Sequence, residues 1–74
     1  MNAMSNMSNV SWALENIYSD DDRERNEARE IIVDLELAES WEFGEYNDSP
    51  ESELLFADEI RSRAREAGYG EYLD

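Results

Sequence analysis

The chain has no cysteine, no histidine and no lysine in its 74 residues, and only one proline and three glycines. Without cysteine there is neither a disulfide framework nor a thiolate metal site. Without histidine, cysteine or lysine, the usual general bases and nucleophiles of enzymes are missing. Carboxylates alone remain for acid–base work, and no glycine-rich phosphate loop accompanies them. No apolar run approaches the ~20 residues of a membrane span. The N-terminus also lacks the basic region followed by an apolar one that marks a signal peptide. These absences lead to the expectation of a non-enzymatic, cytoplasmic protein with no cofactor and no membrane partner.

Carboxylate is what the chain has in excess. Twenty Asp and Glu stand against six Arg, for a formal net charge of −14 at pH 7. Like charges repel, which argues against direct binding to nucleic acid or an anionic membrane and for a basic partner. Hydrophobic content is nonetheless 41%, with two Trp, four Tyr and two Phe, too apolar and aromatic for a plain acidic tail. A folded domain of this size buries roughly 60% of the surface of its unfolded chain, so nearly every apolar residue is needed in the core.

Hydrophobic spacing predicts an all-α fold, a small three-helix domain with short connections and an irregular aromatic connector. Residues 1–9 are polar and read as a disordered N-terminal segment, with Met1, Met4 and Met7 as alternative starts. Residues 10–74 read as one helical domain. Val10, Ala13, Leu14 and Ile17 fall at i, i+3, i+4 and i+7, one face of a short helix. Ser19 is placed to cap a second helix from Asp20 to Trp41 or Glu42, with Asp20, Asp21 and Asp22 at the positive end of its dipole. Ala28, Ile31, Ile32, Leu35 and Ala38 form its apolar stripe, and Gly44 lies beyond its end. At 1.5 Å per residue such a helix is about 33 Å long, close to one turn of DNA. Trp41, Phe43 and Tyr46 belong to the connector, where a short strand is the alternative because the alternation has period two. Ser49-Pro50 opens the third helix, which Gly68 ends. Tyr69, Tyr72 and Leu73 pack back as a tail.

The acidic residues make two rows on this reading. Asp20, Asp21, Asp22, Glu24, Glu27, Glu30 and Asp34 form the first, and Glu36, Glu39, Glu42, Glu45 and Asp48 the second. Asp21 with Arg25 and Arg23 with Glu27 are i, i+4 pairs that relieve some repulsion, but between Arg29 and Arg61 there is no cation. Helical rows advance in steps of about 4.5–6 Å, near but below the roughly 7 Å between phosphates of one strand. A metal site is not expected at Asp20-Asp21-Asp22. The run lacks the alternation and central Gly of a calcium loop, and successive helical residues point in different directions. Trp41, Phe43 and Tyr46 are read as a lid on the core or, alternatively, as anchors of a contact.

The string AMSNM at residues 3–7, then Asn9-Val10 and a helix-like segment running into Asp20-Asp21-Asp22, resembles the start of the Ocr-like anti-restriction proteins of virulent podophages. That family consists of acidic, mostly helical, dimeric DNA mimics that occupy the DNA groove of restriction enzymes. The chain is shorter and ends in GYGEYLD, without the family's long acidic tail. In size and charge it also resembles small anti-CRISPR proteins. The resemblance implies an inhibitor acting in a host cell cytoplasm on a basic nucleic-acid-binding protein, a restriction or CRISPR-Cas complex. A homodimer needs an apolar seam, for which the Trp41–Tyr46 cluster or the exposed side of the first helix is available. The competing readings are a generic acidic protein–protein adaptor and a halophile-adapted helical domain with no inhibitory role.

Overall fold

The computed structural model describes residues 9–73. Its regular elements are α1 (Val10–Asn16), α2 (Asp22–Asp34), α3 (Ser40–Glu45), α4 (Pro50–Glu66) and a closing 3-10 turn (Gly70–Tyr72), with no strand among the described residues. The domain is all-α, and α1, α2 and α4 make its three-helix frame. The expectation of a disordered stretch at residues 1–9 falls, Asn9 apart, outside the described residues.

The helices form where apolar spacing makes one face buriable. Val10, Ala13, Leu14 and Ile17 are all buried, as their spacing predicts. They pack with Ala28 and Ile32 of α2 and with Phe56, Ile60 and Ala64 of α4. Leu37, Ala38, Phe43 and Leu73 complete the core from the connecting segments and the tail. α4 starts as its sequence predicts. Pro50 is the first helical residue, and the Ser49 hydroxyl accepts from the Ser52 N–H at 3.1 Å. It also ends as predicted, with Gly68 at φ 96°, the Gly68 N–H donating to the Arg65 carbonyl and the Tyr69 N–H to the Ala64 carbonyl. This is the Schellman arrangement, which satisfies carbonyls the helix leaves open.

The long second helix is not one helix. α2 begins later than Asp20, because Asp21 takes the cap instead of Ser19. Its carboxylate accepts from the N–H groups of Arg23 at 2.9 Å and Glu24 at 3.0 Å. In a run of three Asp, each residue is a good cap, and the register that also lets the Ser19 hydroxyl accept from the Asp21 N–H is the one adopted. The other end stops at Asp34, seven residues short of Trp41. A second Schellman turn closes it, with the Glu36 N–H donating to Val33 and the Leu37 N–H to Ile32. Glu36 occupies the left-handed position, φ 61°, that glycine usually fills. The turn swings Leu37 and Ala38 into the core, and their burial stabilises a bend that no local propensity marks.

Nor is the aromatic connector irregular or extended. Ser40–Glu45 is a helix with a reciprocal capping box, in which the Glu39 carboxylate accepts from the backbone of Glu42 and the Glu42 carboxylate accepts from the Glu39 N–H at 2.9 Å. Gly44 lies inside it. Phe43 is driven into the core, edge-on to Phe56 at 5.4 Å between ring centroids, and Tyr46 stacks on Phe56 at 4.7 Å. The Tyr18 hydroxyl donates to the Tyr46 carbonyl at 3.0 Å, tying the end of α3 to the end of α1.

A left-handed conformation costs a residue with a Cβ roughly 1–2 kcal/mol. Glu36→Gly is therefore expected to raise stability by about 1 kcal/mol, with a Tm about 4–8 °C higher for a domain of this size. Urea unfolding and thermal melts of the two chains check this, and an unchanged or lower midpoint would mean that the turn holds no strain.

Candidate protein-binding surface

Six arginines have to serve a chain with twenty acids, and the structure turns several of them toward the backbone. The Arg29 Nε donates to the Ile17 carbonyl, the cap of α1, at 2.8 Å, and its guanidinium lies 5.2 Å from the Tyr18 ring centroid and 5.0 Å from that of Phe43. Arg25 donates to the Ser19 carbonyl at 2.9 Å and pairs with Asp22. Arg63 donates to the Leu37 carbonyl at 3.0 Å, to both oxygens of Glu42 at 3.1 and 3.2 Å, and to Glu59 at 3.2 Å. A planar guanidinium can make such forked contacts and a lysine ammonium cannot, which gives the absence of lysine a structural meaning. Burial holds the Arg29 guanidinium below its ordinary value and the Tyr18 hydroxyl above its own, and each is partly offset by the attraction between the two.

These internal duties divide the acids. Among the described residues, ion pairs reach Asp22, Asp58, Glu42 and Glu59 and no other carboxylate. The expected Asp21–Arg25 pair does not form, because Asp21 caps α2 and Arg25 turns to Asp22. The expected Arg23–Glu27 pair does not close either.

The first predicted row is thereby split. Asp21 is the α2 cap, Asp22 is paired with Arg25, and Glu24 accepts from the Ser19 hydroxyl at 3.2 Å. Asp20 lies exposed before the helix. Glu27, Glu30 and Asp34 are exposed on the outward stripe of α2, with axial steps of about 4.5 and 6 Å. The second predicted row is dissolved by the turn at Glu36. Glu36 sits in that turn, and Glu39 caps α3 and accepts from the Trp41 indole N–H at 3.0 Å. Glu42 is clamped by Arg63, while Glu45 and Asp48 are exposed at the end of α3 and in the loop beyond it. Of the three connector aromatics, Phe43 is core, Tyr46 is half covered by its stacking, and Trp41 stands 61% exposed beside Glu39.

The depression between the end of α2 and the start of α3 is lined by Val33, Glu36, Leu37, Glu39, Glu42 and Arg63, among others. Its sole cation already contacts four acceptors. No group of three or more His, Cys, Asp or Glu converges on a point where a metal would sit, among the described residues. No helix among them is long and apolar enough to cross a membrane. What the surface offers is fixed, solvated carboxylate, with one indole beside it.

No family model, characterised protein or solved structure matches the chain. The string AMSNM at residues 3–7 lies outside the described residues.

The Arg63 hydrogen bonds, followed by the Glu39 backbone, hold the Glu42 carboxyl below its ordinary value of 4.5. A depressed carboxyl stabilises the fold above its unfolded pKa and loses that contribution as pH falls through the folded value. Glu42→Gln is expected to cost about 1 kcal/mol at pH 7, a figure kept small because Arg63 is partly exposed. The gap between the two chains should close below about pH 4. Urea titrations from pH 7 to 3 measure it, and a gap that stays constant across that range would show that the pair does not couple to folding.

Proposed function

We propose that this protein is a non-enzymatic acidic mimic of nucleic acid, which inhibits a basic nucleic-acid-binding protein by occupying its groove. A restriction or CRISPR-Cas complex of a host cell is the kind of target it fits. The observation that carries this reading is the disposition of charge. Arg25, Arg29 and Arg63 are turned onto backbone carbonyls, while Glu27, Glu30 and Asp34 face solvent in one stripe without ion pairs. A chain concerned with stability alone gains by interleaving cations on that stripe, since like charges at i, i+3 and i, i+4 each cost a few tenths of a kcal/mol. The resemblance of the N-terminal residues to Ocr-like proteins agrees with this reading.

The shape of the proposed mimic differs from a rod. With α2 only 13 residues long, its axis spans about 20 Å instead of about 33 Å. The domain measures 32 × 25 × 21 Å, so it would fill a short stretch of a groove as an anionic plug. Contact would be made by the α2 stripe, with Glu45 and Asp48 at one end and Trp41 as an exposed aromatic. Association would be fast and salt-sensitive, because charge complementarity acts mainly on encounter.

The test is capture of basic nucleic-acid-binding proteins on the immobilised full chain at about 50 mM salt, followed by elution with duplex DNA or guide RNA. Captured proteins should be released by either nucleic acid and by about 0.5 M salt. The triple reversal Glu27→Arg, Glu30→Arg and Asp34→Arg should weaken capture by about 10- to 100-fold, while the circular dichroism stays helical. Capture that survives both the salt and the reversal would sink the reading, as would failure to retain any basic protein.

A further inference from the structure

Arginines in this domain are laid on aromatic rings. Arg29 lies 5.2 Å from the Tyr18 centroid and 5.0 Å from that of Phe43, and Arg63 lies 5.8 Å from Phe56. Tryptophan offers a cation the best ring face of all, yet among the described residues no arginine covers Trp41. Its ring is 61% exposed, against 38% for Trp12. The ring is also held in place, because the Glu39 carboxylate accepts from its indole N–H at 3.0 Å. That carboxylate is fixed in turn, since the capping box of α3 uses it to accept from the Glu42 backbone. Glu45, exposed, follows Trp41 by one turn at i+4, on the same side of the helix.

We propose that Trp41 is the platform for an arginine side chain of the protein's partner, stacked on the indole face between Glu39 and Glu45. The inference rests on the inhibitory reading, since arginines set to hold phosphates are what a nucleic-acid groove brings to this surface. Charge complementarity selects a cation. Of the five acids from Glu36 to Asp48, only Glu42 has an ion pair among the described residues. An apolar occupant would strip water from the flanking carboxylates and offer them no counter-charge. Arginine is favoured over lysine because its planar guanidinium can lie flat on the ring and direct N–H groups from its edge to both carboxylates, whereas an ammonium is a strongly hydrated point charge. The domain already contains this constellation with its cation in place. Arg63 lies over Phe56 while it hydrogen-bonds Glu42 and Glu59. Trp41, Glu39 and Glu45 present the same combination of ring and two carboxylates to solvent.

The probe is an acetylated, amidated tetra-arginine peptide, with tetra-lysine as its control, titrated calorimetrically into the full chain at about 50 mM salt. Trp41→Leu should weaken tetra-arginine by about 3- to 10-fold and tetra-lysine by less than about twofold. The helical circular dichroism should stay intact, because the ring contributes little to the core. In a Trp12→Phe background the emission of Trp41 should change as tetra-arginine binds. Tetra-arginine affinity that Trp41→Leu leaves unchanged would overturn the inference. So would an equal loss for both peptides, or a chain that binds neither. Capture of basic nucleic-acid-binding proteins on the immobilised chain separates this inference from the reading beneath it. Equal retention by wild type and by Trp41→Leu sinks the Trp41 platform alone. Trp41-dependent binding of tetra-arginine, with no basic protein retained, supports the platform and sinks the inhibitory reading instead.

Discussion

Arg63 ties together three segments that otherwise share little. It hydrogen-bonds the carbonyl of Leu37, just past the turn that ends α2, and the carboxylate of Glu42 in the first turn of α3. Within α4 its guanidinium lies 5.8 Å from the Phe56 ring centroid and its Nε donates to Glu59. Remove that fork and the Leu37 carbonyl, the Glu42 carboxylate and the orientation of α3 lose their common partner. Arg29 does the same at the other end of the aromatic cluster, between Ile17, Tyr18 and Phe43. These two guanidiniums brace the short connecting segments of a domain too small to hold them by apolar burial alone.

That use of cations has an electrostatic consequence. The arginines turned inward satisfy carbonyls, and the ion pairs that Arg25 and Arg63 also make go to Asp22, Glu42 and Glu59, so the outward carboxylates Glu27, Glu30 and Asp34 keep no ion-pair partner. Self-repulsion then works against the compact state, and it is relieved by salt within a Debye length of about 10 Å at 0.1 M. The interior compensates in the ordinary way, with Ile17, Ile32, Ile60 and Val10 fully buried and, among the described residues, no buried side-chain polar atom left without a partner. The acidic surface is thus borne by the packing beneath it. Protonation adds two opposing effects. It relieves the repulsion at the surface while it weakens the Glu42–Arg63 clamp, so the acid limb of stability depends on which carboxylates titrate first.

How much of this is legible in the residues follows from how each feature is encoded. The α1 stripe, the Ser49-Pro50 start and the Gly68 stop are written in local chemistry, and each appears where its signal lies. The break at Glu36 is invisible locally. No Gly, Asn or Pro marks it, and the apolar spacing from Ala28 through Leu35 to Ala38 continues as if the helix did. It is Leu37 and Ala38 reaching the core, together with the Arg63 contact to Leu37, that favours the bend, and both depend on α4, whose Arg63 lies 26 residues beyond Leu37. The period-two step from Trp41 to Phe43, read as a strand alternative, misled for a related reason. Six residues carry too few turns to show a helical period, and the Glu39 capping box that stabilises α3 uses a residue type poor at capping in general. Of the acidic surface, the excess of charge is plain in composition. The separation of Glu27, Glu30 and Asp34, which face solvent unpaired, from Asp21, Asp22 and Glu42, which serve the fold, is not.

That separation changes what a mimic of this kind can present. Two unbroken helical rows would offer a linear track with a step shorter than the phosphate repeat, so that mismatch would accumulate along the contact. A broken track does not accumulate it. The α2 stripe covers only two steps before the chain turns at Glu36, and Glu45 and Asp48 resume the acidic surface from a different element with its own direction. Short charged patches at angles to one another can each meet a separate cluster of cations, and none need keep register with the next. For a domain of 32 × 25 × 21 Å, occupying a groove by patches is physically easier than imitating the geometry of a strand. Rigid placement then matters more than length. It is supplied by the caps, the Arg63 fork and the Schellman turn that fix where each patch points.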